Sequence, residues 1–333
     1  MPMSGLNLIV LAVTTALTSY VLSRTVYRLE KKLGFTTIDL HKPEKNVVAR
    51  SGGLAIMATL VLALSYWSVL SKLNSVVIVY TFSAILAGLI GFIDDVVHLG
   101  VRLKLLLFCL PALPPVLLHL YEPYPYIPGI GHLRLTLLYP LGAIAAYDIM
   151  ANAFNMSDTH NGLIVSTFLV FATSILLSTA LPGPDPIEGF ETLLTIFLSV
   201  LLGYLPLNMY PAKMLNGNSG SHLIGSLAAA LILTSRREFL SLMLLVPQIL
   251  NGYFILFTTG LKSKEYIERP TKLKSGGIIA PNCSPKSPIT LVKLFVIERE
   301  MSERELVKKY VALQVVTSAI SLLLYWVLAI VKF

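Results

Sequence analysis

Long apolar runs follow one another along most of this chain, and no other sequence feature limits its fold as strongly. Apolar residues make up 55% of the 333 residues and charged residues only 13%, about half the charged share of an average soluble domain. Several runs reach the roughly 20 residues that a helix needs to cross a bilayer. The runs are continuous rather than alternating, which argues against a membrane barrel. The sequence therefore predicts an all-α polytopic membrane protein and excludes a soluble enzyme, a secreted disulfide scaffold and a disordered chain.

Ten apolar segments predict about ten transmembrane helices within a single domain that covers residues 1–333. Three prolines in the fourth segment predict a kink there, and the eighth segment is short enough to be tilted or partly re-entrant. The predicted spans are residues 6–24, 52–71, 76–93, 105–120, 133–151, 162–181, 189–206, 219–234, 238–260 and 310–331.

Lys and Arg are distributed unevenly over the predicted loops. The loops that follow odd-numbered spans carry 21 of the 26 Lys and Arg residues. Positive charge collects in cytosolic loops, so both termini are expected on the non-cytosolic side. The net charge of +8 is then explained by loops that face anionic lipid, and we expect no nucleic acid partner. The expected cytosolic loops are residues 25–51, 94–104, 152–161, 207–218 and 261–309.

Two adjacent carboxylates, Asp94 and Asp95, close the third predicted span. Charged groups are costly near lipid, so each is a functional hypothesis by default. Neighbouring side chains on a helix point about 100° apart, so the pair could serve two tasks, such as ordering a Lys and orienting a phosphate–metal complex. Arg102 and Lys104 follow and can offer cations to phosphate oxygens. The alternative, carboxylates in the headgroup layer, is disfavoured because Asp at a helix C-terminus opposes the helix dipole.

A polar stretch over residues 152–163 follows the fifth predicted span and begins with Asn152. Within it, Asn155, Asp158 and Asn161 recur every three residues and could converge on one ligand. The alternative is an ordinary polar turn, but such a turn rarely needs so many amides and a carboxylate.

A third polar segment runs from Asn208 to His222 and contains Lys213 and a glycine turn at residues 217–221. Glycines that open a helix can form an anion-binding nest, although this signal is weak alone. Lys42 and Arg269 lie in two further basic segments of the same predicted face, where cytosolic positive charge is the alternative reading. Carboxylates, amides and cations on one face suit phosphates with Mg²⁺, which binds through few protein oxygens.

These segments resemble the polyprenyl-phosphate N-acetylhexosamine-1-phosphate transferases, a superfamily that includes the dolichyl-phosphate GlcNAc-1-phosphate transferases and the bacterial phospho-MurNAc-pentapeptide transferase. The likeness covers nearly the whole chain. Its most specific parts are Asp94-Asp95 with Lys104, the stretch 152–163, and the segment 208–221.

The resemblance implies that a polyprenyl or dolichyl phosphate attacks a UDP-N-acetylhexosamine, most simply UDP-GlcNAc, and releases UMP with Mg²⁺ or Mn²⁺ as cofactor. It also implies roles. Asp94 or Asp95 would orient the lipid phosphate and order Lys104 on the phosphates. Asn155 and Asp158 would face the metal–diphosphate, Asn161 would face the uracil, and Arg269 would meet the diphosphate or the sugar. The expected catalytic residues are Asp94, Asp95, Lys104 and Asp158, and the expected substrate-binding residues are Lys42, Asn152, Asn155, Asn161, Gly162, Lys213 and Arg269.

The glycine turn departs from the family pattern, because Asn218 stands where the family usually has a metal-binding Asp. We expect the metal to bind through Asp158, the carbonyl of Asn155 or Asn218, and substrate phosphates. The His-rich signature of the muramoyl-pentapeptide branch is missing, which argues against a peptidoglycan precursor as donor. Of the eukaryotic Arg-His-Arg-x-Pro signature only Arg269-Pro270 is present.

Two other functions stay open from the sequence. One is a catalytically inactive paralogue that binds polyprenyl phosphate or nucleotide sugar as a regulatory subunit. The other is a secondary transporter, although transporter sites lie near the membrane midplane. The expected location is an integral multi-pass membrane protein, in the plasma membrane for a prokaryotic chain or the endoplasmic reticulum for a eukaryotic one, with the site facing the cytosol. A homodimer is expected by analogy.

Overall fold

A computed structural model describes residues 4–39, 42, 47–72, 74–260 and 267–331. Most of these residues are helical, and short 3₁₀ turns occur at Leu110–Ala112 and Ser275–Gly277. The helices are α1 Gly5–Leu33, α2 Gly52–Leu70, α3 Ser75–Val97, α4 Val101–Leu107, α5 Leu113–Leu117, α6 Tyr139–Ser157, α7 Leu163–Ser178, α8 Phe190–Asn208, α9 Gly217–Ser235, α10 Glu238–Leu244, α11 Val246–Thr259, α12 Leu291–Glu298 and α13 Glu303–Ile330.

Short strands in the loops form three small antiparallel sheets among the described residues. β1 pairs with β2, β3 pairs with β4, and β6 lies between β5 and β7. The prediction of an all-α chain is therefore corrected at these loops. The strands are β1 Thr36–Ile38, β2 Val47–Ala49, β3 Tyr126–Ile127, β4 Gly131–His132, β5 Thr271–Leu273, β6 Ile278–Pro281 and β7 Met301–Ser302.

Five helices of the described chain, α1, α2, α3, α8 and α13, are long and apolar enough to cross a membrane. The pair α10 and α11 bends by 66° at its break and would add a sixth span if it crosses as one unit. Each of the ten predicted spans contains at least part of a helix. The protein is thus a helical membrane protein, while the count of ten spans and the sidedness of its termini remain predictions.

The fourth predicted span is broken, as its prolines indicate. Pro111 lies in the 3₁₀ turn between α4 and α5, and Pro114 and Pro115 lie in α5. Proline has no amide proton and its ring clashes with the preceding turn of an α-helix. The segment therefore folds into three short pieces instead of one helix, and the predicted kink is confirmed.

Helix α9 lies at the centre of the molecule, and its residues from Ser219 to Ser235 are all buried. Close crossings fix it against α3 and α6. A Cβ added at Gly91 would lie 2.4 Å from the carbonyl oxygen of Asn218, and one at Gly225 would lie 2.3 Å from that of Met150. Small residues allow membrane helices to approach this closely. The crossing at Gly91 fixes the first turn of α9 beside the end of α3.

Candidate active site

A cavity of about 590 Å³ opens where the ends of α3, α6 and α8 meet the beginning of α9. Residues of β1, the residue that follows β2, and Arg269 complete its wall. The three polar segments of the sequence thus contribute to one cavity. The residues singled out from the sequence that line it are Asp95, Asn155, Asp158, Asn161, Asn218 and Arg269.

Asp95 caps the N-terminus of α9 from a neighbouring helix. Its Oδ1 accepts the backbone N–H of Asn218 at 3.0 Å, and its Oδ2 accepts that of Ser219 at 3.0 Å. The first amides of a helix have no partner within the helix, and a carboxylate is favoured there by the helix dipole. Asp95 therefore fixes the glycine turn that forms one wall of the cavity.

Asp94 is buried and faces a different set of partners, as the 100° offset predicts. It forms an ion pair with Lys104. Its Oδ1 accepts the backbone N–H of Leu99 at 2.9 Å, and its Oδ2 accepts the side-chain Nδ2 of Asn218 at 2.6 Å. The chain between α3 and α4 is thus tied to the first turn of α9. Lys104 is ordered by Asp94 and does not itself line the cavity.

The side chain of Asn218 links two parts of the cavity wall. While its Nδ2 donates to Asp94, its Oδ1 accepts the Nδ2 of Asn155 at 2.9 Å. The same Nδ2 of Asn155 also donates to the hydroxyl of Ser221 at 2.7 Å. An amide can donate and accept at once, so Asn218 joins a carboxylate and an amide without a cation between them.

Asp158 caps the C-terminal end of α6 and lines the cavity. Its Oδ1 accepts the Nδ2 of Asn216 at 2.8 Å. Burial raises the pKa of Asp158 to about 7, and the negative charge of Asp95 adds to this rise while the Asn216 hydrogen bond opposes it. A bound cation would offset both the cost of burying the negative charge of Asp158 and its repulsion from Asp95.

The donor set fits a divalent cation that arrives with its substrate. Among the described residues, no three His, Cys, Asp or Glu side chains are grouped as a metal site. Asp158 and Asp95 nevertheless line the same cavity with Asn155, whose Oδ1 takes part in no hydrogen bond between described residues. Mg²⁺ usually takes one or two carboxylates and completes its shell with substrate phosphates and water. These residues can therefore supply only some of the ligands of such a cation, and the substrate phosphates and water would supply the others.

A second charged cluster lies beside the cavity and is buried. Lys42 Nζ donates to Glu303 Oε2 at 2.5 Å, lies 3.4 Å from Asp39 Oδ2, and sits 3.8 Å from the ring centre of Tyr210. Asn161 donates its backbone N–H to Glu303 at 2.9 Å and its Nδ2 to Asp39 at 2.9 Å. This cluster joins the segment after β1, the start of α13 and the loop between α6 and α7.

The other residues that were predicted to bind substrate lie away from the cavity lining. Lys42 is enclosed by the cluster just described, and the amide of Asn152 bonds Asp148 one turn earlier on α6. Gly162 adopts a left-handed conformation with φ 76° immediately before α7, which glycine reaches without strain. Lys213 is exposed, and its backbone carbonyl accepts the N–H of Ala49 at 3.0 Å.

Sequence reasoning missed three residues at or beside the site. Arg50 and His98 line the cavity, and Glu303 anchors Asn161 from the first turn of α13. The count of cytosolic Lys and Arg explained Arg50 without a specific role, and its place two residues before a Gly-Gly pair was the signal that could have marked it. Glu303 is too far from Asn161 in the sequence for any local pattern to connect them.

The chain matches the family model of glycosyl transferase family 4 over residues 76–236. It is 28% identical over 238 residues to a candidate UDP-N-acetylglucosamine–dolichyl-phosphate N-acetylglucosaminephosphotransferase of Sulfolobus acidocaldarius, covering 69% of this chain and 72% of the relative. A protein of the same description from Saccharolobus solfataricus is 29% identical over 217 residues, covering 64% and 66%. The phospho-N-acetylmuramoyl-pentapeptide-transferase of Borrelia garinii is 26% identical over 262 residues, covering 70% and 72%.

The family match and these relatives support one assignment. Over this region the chain is similar to the polyprenyl-phosphate sugar-1-phosphate transferases of glycosyl transferase family 4. The resemblance to this superfamily that the sequence motifs indicated is thereby confirmed.

Proposed function

We propose that this protein transfers a sugar-1-phosphate from a UDP-sugar to a polyprenyl phosphate and releases UMP, as the first step of lipid-linked glycan synthesis. N-acetylglucosamine is the first candidate sugar, since two archaeal relatives carry it in their names. The observation that carries the proposal is the cavity at the start of α9, where carboxylates, amides and two arginines line a shared space. The relatives above are all named as transferases, and nothing in them supports the alternative of a binding-only paralogue.

In the proposed reaction an oxygen of the polyprenyl phosphate attacks the β-phosphorus of the UDP-sugar. A new phosphoanhydride bond forms, and the bond between that phosphorus and the bridging oxygen breaks. The bridging oxygen leaves with its electron pair on UMP. Phosphoryl transfer of this kind needs positioning and charge stabilisation more than covalent help from the protein.

The residues of the α9 end are suited to positioning. Asp95 holds the first amides of α9 in place, and Asp94 orders Lys104 beside them. We propose that this pair fixes the wall against which the reacting phosphates lie. Their roles are then to orient and to balance charge, and the lipid phosphate supplies the nucleophile.

A divalent cation, Mg²⁺ or Mn²⁺, would supply positive charge to the diphosphate when it is bound. We propose Asp158 and the free Oδ1 of Asn155 as its protein ligands. Asn218 Oδ1 already accepts one hydrogen bond from Asn155, so only its second lone pair is left for the cation.

Nucleotide and sugar recognition is proposed for other residues of the cavity lining. Asn161, held by Asp39 and Glu303, faces the cavity where the uracil is expected, and Arg269 faces it where the diphosphate or sugar is expected. For Lys42, Asn152, Gly162 and Lys213 we propose indirect roles, in which they shape the loops around the substrate. The cavity is proposed to face the cytosol, in the plasma membrane of a prokaryote, and a homodimer remains a prediction.

The test is a donor screen. Purified protein is incubated with a polyprenyl phosphate, Mg²⁺ and each of several UDP-sugars, and the release of UMP is measured. UDP-GlcNAc is expected to give UMP and a lipid-linked diphosphate sugar. Glu191→Gln serves as the matched active control, because Glu191 lies in the first turn of α8, at the opposite end of the helix from the cavity. No UMP with any donor would reject the proposal, and binding of donor without UMP would favour the inactive paralogue.

A further inference from the structure

Two arginines, rather than the lysines of the motifs, supply unpaired positive charge to the cavity wall. Asp39, Asp95 and Asp158 line the cavity, so an anionic substrate needs cations close by. Lys42 and Lys104 are each paired with carboxylates and do not line it. Among the described residues that do line it, Arg50 and Arg269 carry the full positive charges.

The guanidinium of Arg50 has no partner in the described part of the chain. It makes no hydrogen bond or ion pair with any described residue, although the side chain is half-buried. A guanidinium presents five N–H donors in a planar fork that matches phosphate oxygens. A half-buried guanidinium that forms no ion pair with a described carboxylate is therefore available to a ligand that brings its own negative charge.

The backbone of Arg50 is held rigidly from two sides. Its N–H donates to Glu30 Oε2 at 2.9 Å, and the N–H of Ser51 reaches the same oxygen at 3.3 Å. Glu30 is a buried carboxylate near the end of α1. On the other side, the N–H of Leu215 donates to the carbonyl of Ala49 at 2.9 Å. These bonds fix the Cα from which the guanidinium extends.

Arg50 also adjoins the capped start of α9. A Cβ added at Gly217 would lie 2.7 Å from the carbonyl oxygen of Arg50 and 2.9 Å from Oδ2 of Asp95. The backbone of Arg50, the carboxylate of Asp95 and the first turn of α9 therefore meet at one point of the cavity wall. A helix N-terminus favours anions, and here a guanidinium from a separate segment lies on the same wall.

We propose that Arg50 is a phosphate-binding residue of this site, with Glu30 as the residue that positions its backbone. The ligand is a phosphate group of a bound substrate, either the diphosphate of the UDP-sugar or the headgroup of the polyprenyl phosphate. The assignment rests on the proposed function for its kinetic test, and a binding measurement examines it independently.

The experiment compares wild type with Arg50→Gln, Arg50→Lys and Arg28→Gln. Arg28 is an exposed residue of α1, so its variant removes the same cytosolic charge without touching the cavity. Calorimetric affinity for UDP and the KM values for UDP-GlcNAc and polyprenyl phosphate are measured in detergent. Arg50→Gln is expected to weaken one of these by about tenfold or more, Arg50→Lys to restore part of the loss, and Arg28→Gln to remain near wild type.

Weaker UDP affinity in Arg50→Gln assigns the diphosphate of the nucleotide as its ligand, and a raised KM for polyprenyl phosphate alone assigns the lipid headgroup. Wild-type values for all three quantities in Arg50→Gln would overturn the proposal. If Arg50→Gln does not fold, Arg50→Lys becomes the test. A folded Arg50→Lys protein with unchanged UDP affinity and unchanged KM values would reject a bidentate contact between Arg50 and a phosphate. If wild type released no UMP, the proposed function would fail while the UDP affinities still decided the role of Arg50.

Discussion

The lysines and the arginines at this cavity are used differently, although both types carry one positive charge. Lys42 is enclosed by Asp39 and Glu303, and Lys104 is paired with Asp94. Arg50 and Arg269 line the cavity, and their guanidinium groups bond no described residue. The cations of a motif are therefore not all available to a ligand. The lysines tie segments of the chain together, whereas the two arginines face the cavity with no described residue paired to their guanidinium groups.

Chemistry explains why the division runs this way. A lysine ammonium is compact and strongly hydrated, so it is stable in a buried position when carboxylates surround it. An arginine guanidinium is less strongly hydrated and binds phosphate through two parallel hydrogen bonds. Removing one partner of a buried ion pair typically costs about 3–5 kcal/mol. The paired lysines should therefore respond to mutation through order and stability, and the arginines through affinity.

The largest effect is expected from removing the partner of Lys104. Asp94→Asn leaves the half-buried ammonium of Lys104 without its carboxylate, and Asp95→Asn weakens the cap of α9. Each should lower the rate of UMP release by about 10²-fold or more, the scale found for groups that organise charge in a transition state. Asp185→Asn, in the loop before α8 and exposed, is the matched control. Near-normal rates in both variants would show that the acidic pair is only structural.

The next effect concerns a third source of positive charge, the divalent cation. We expect Asp158→Ala to raise the Mg²⁺ concentration needed for half-maximal rate by about 10-fold or more, and Asn218→Ala to raise it less, because loss of a metal-supporting group typically costs 10–100-fold. This order reverses the one that the family pattern suggests, where position 218 carries an Asp. Initial rates across an Mg²⁺ titration of both variants measure it.

Two outcomes would contradict the expected use of the cation. Unchanged titrations in both variants would mean that neither residue holds it, and full activity in EDTA would reject a metal-assisted reaction. Asn218→Asp sharpens the test, because Asn218 Nδ2 lies 2.6 Å from Asp94 Oδ2 and a carboxylate there would repel Asp94. That variant should lose thermal stability without Mg²⁺ and regain it when Mg²⁺ is added.

A smaller effect, on stability, is expected at the cluster around Lys42. Glu303→Gln removes one of its two carboxylates and weakens the support of Asn161. We expect the melting temperature to fall by several degrees and the KM for the UDP-sugar to rise modestly, with kcat nearly unchanged. Glu305→Gln is a matched control in the same helical turn. Glu305 is exposed and accepts the backbone N–H of Ser302, a contact that glutamine can keep. Equal melting temperatures for the two variants would mean that the buried pair adds no stability.

Much of the helical framework could be predicted from the sequence, because apolar length and proline positions act locally. Every predicted span contains helix, and the prolines break the fourth span as expected. The ends were less accurate. Helix α1 continues to Leu33 through residues that were assigned to a loop, because polar residues can remain helical outside the bilayer. The small sheet β5–β6–β7 gave no signal, because its strands are too short for an alternating pattern.

The site could be predicted in composition but not in its pairing. The spacing of Asn155, Asp158 and Asn161 indicated a shared ligand, and all three line one cavity. Whether a given Lys is paired depends on partners far away in the chain. Lys42 and Glu303 are separated by 261 positions, and no local pattern connects them. Arg50 was missed for the same reason. Its guanidinium is free to bind a ligand because no described carboxylate pairs with it, and the local sequence does not show this.

The smallest expected effect is a shift of pH dependence, which tests whether protons and the cation compete at Asp158. Its pKa of about 7 in the cation-free protein lies well above the ordinary value of 3.8. We proposed that the ionised carboxylate holds the cation, so kcat/KM for the UDP-sugar should fall as pH drops through about 7. The effect of pH on folding stability has the opposite sign. Because the folded pKa is raised, this group favours the fold at acidic pH, and that contribution is lost as pH rises through about 7.

Competition gives the pH prediction a magnitude. A cation that binds only the ionised carboxylate lowers its apparent pKa by at most about one unit for each tenfold rise in concentration. The acid limb of kcat/KM should therefore move to lower pH as Mg²⁺ is increased. Asn216→Ala should move it to higher pH, since the Asn216 hydrogen bond lowers the pKa of Asp158. The measurement is a pH profile at two Mg²⁺ concentrations for wild type and this variant. An acid limb that stays fixed in all four profiles would mean that Asp158 does not control it, and the cation would then have to be held by charges other than this carboxylate.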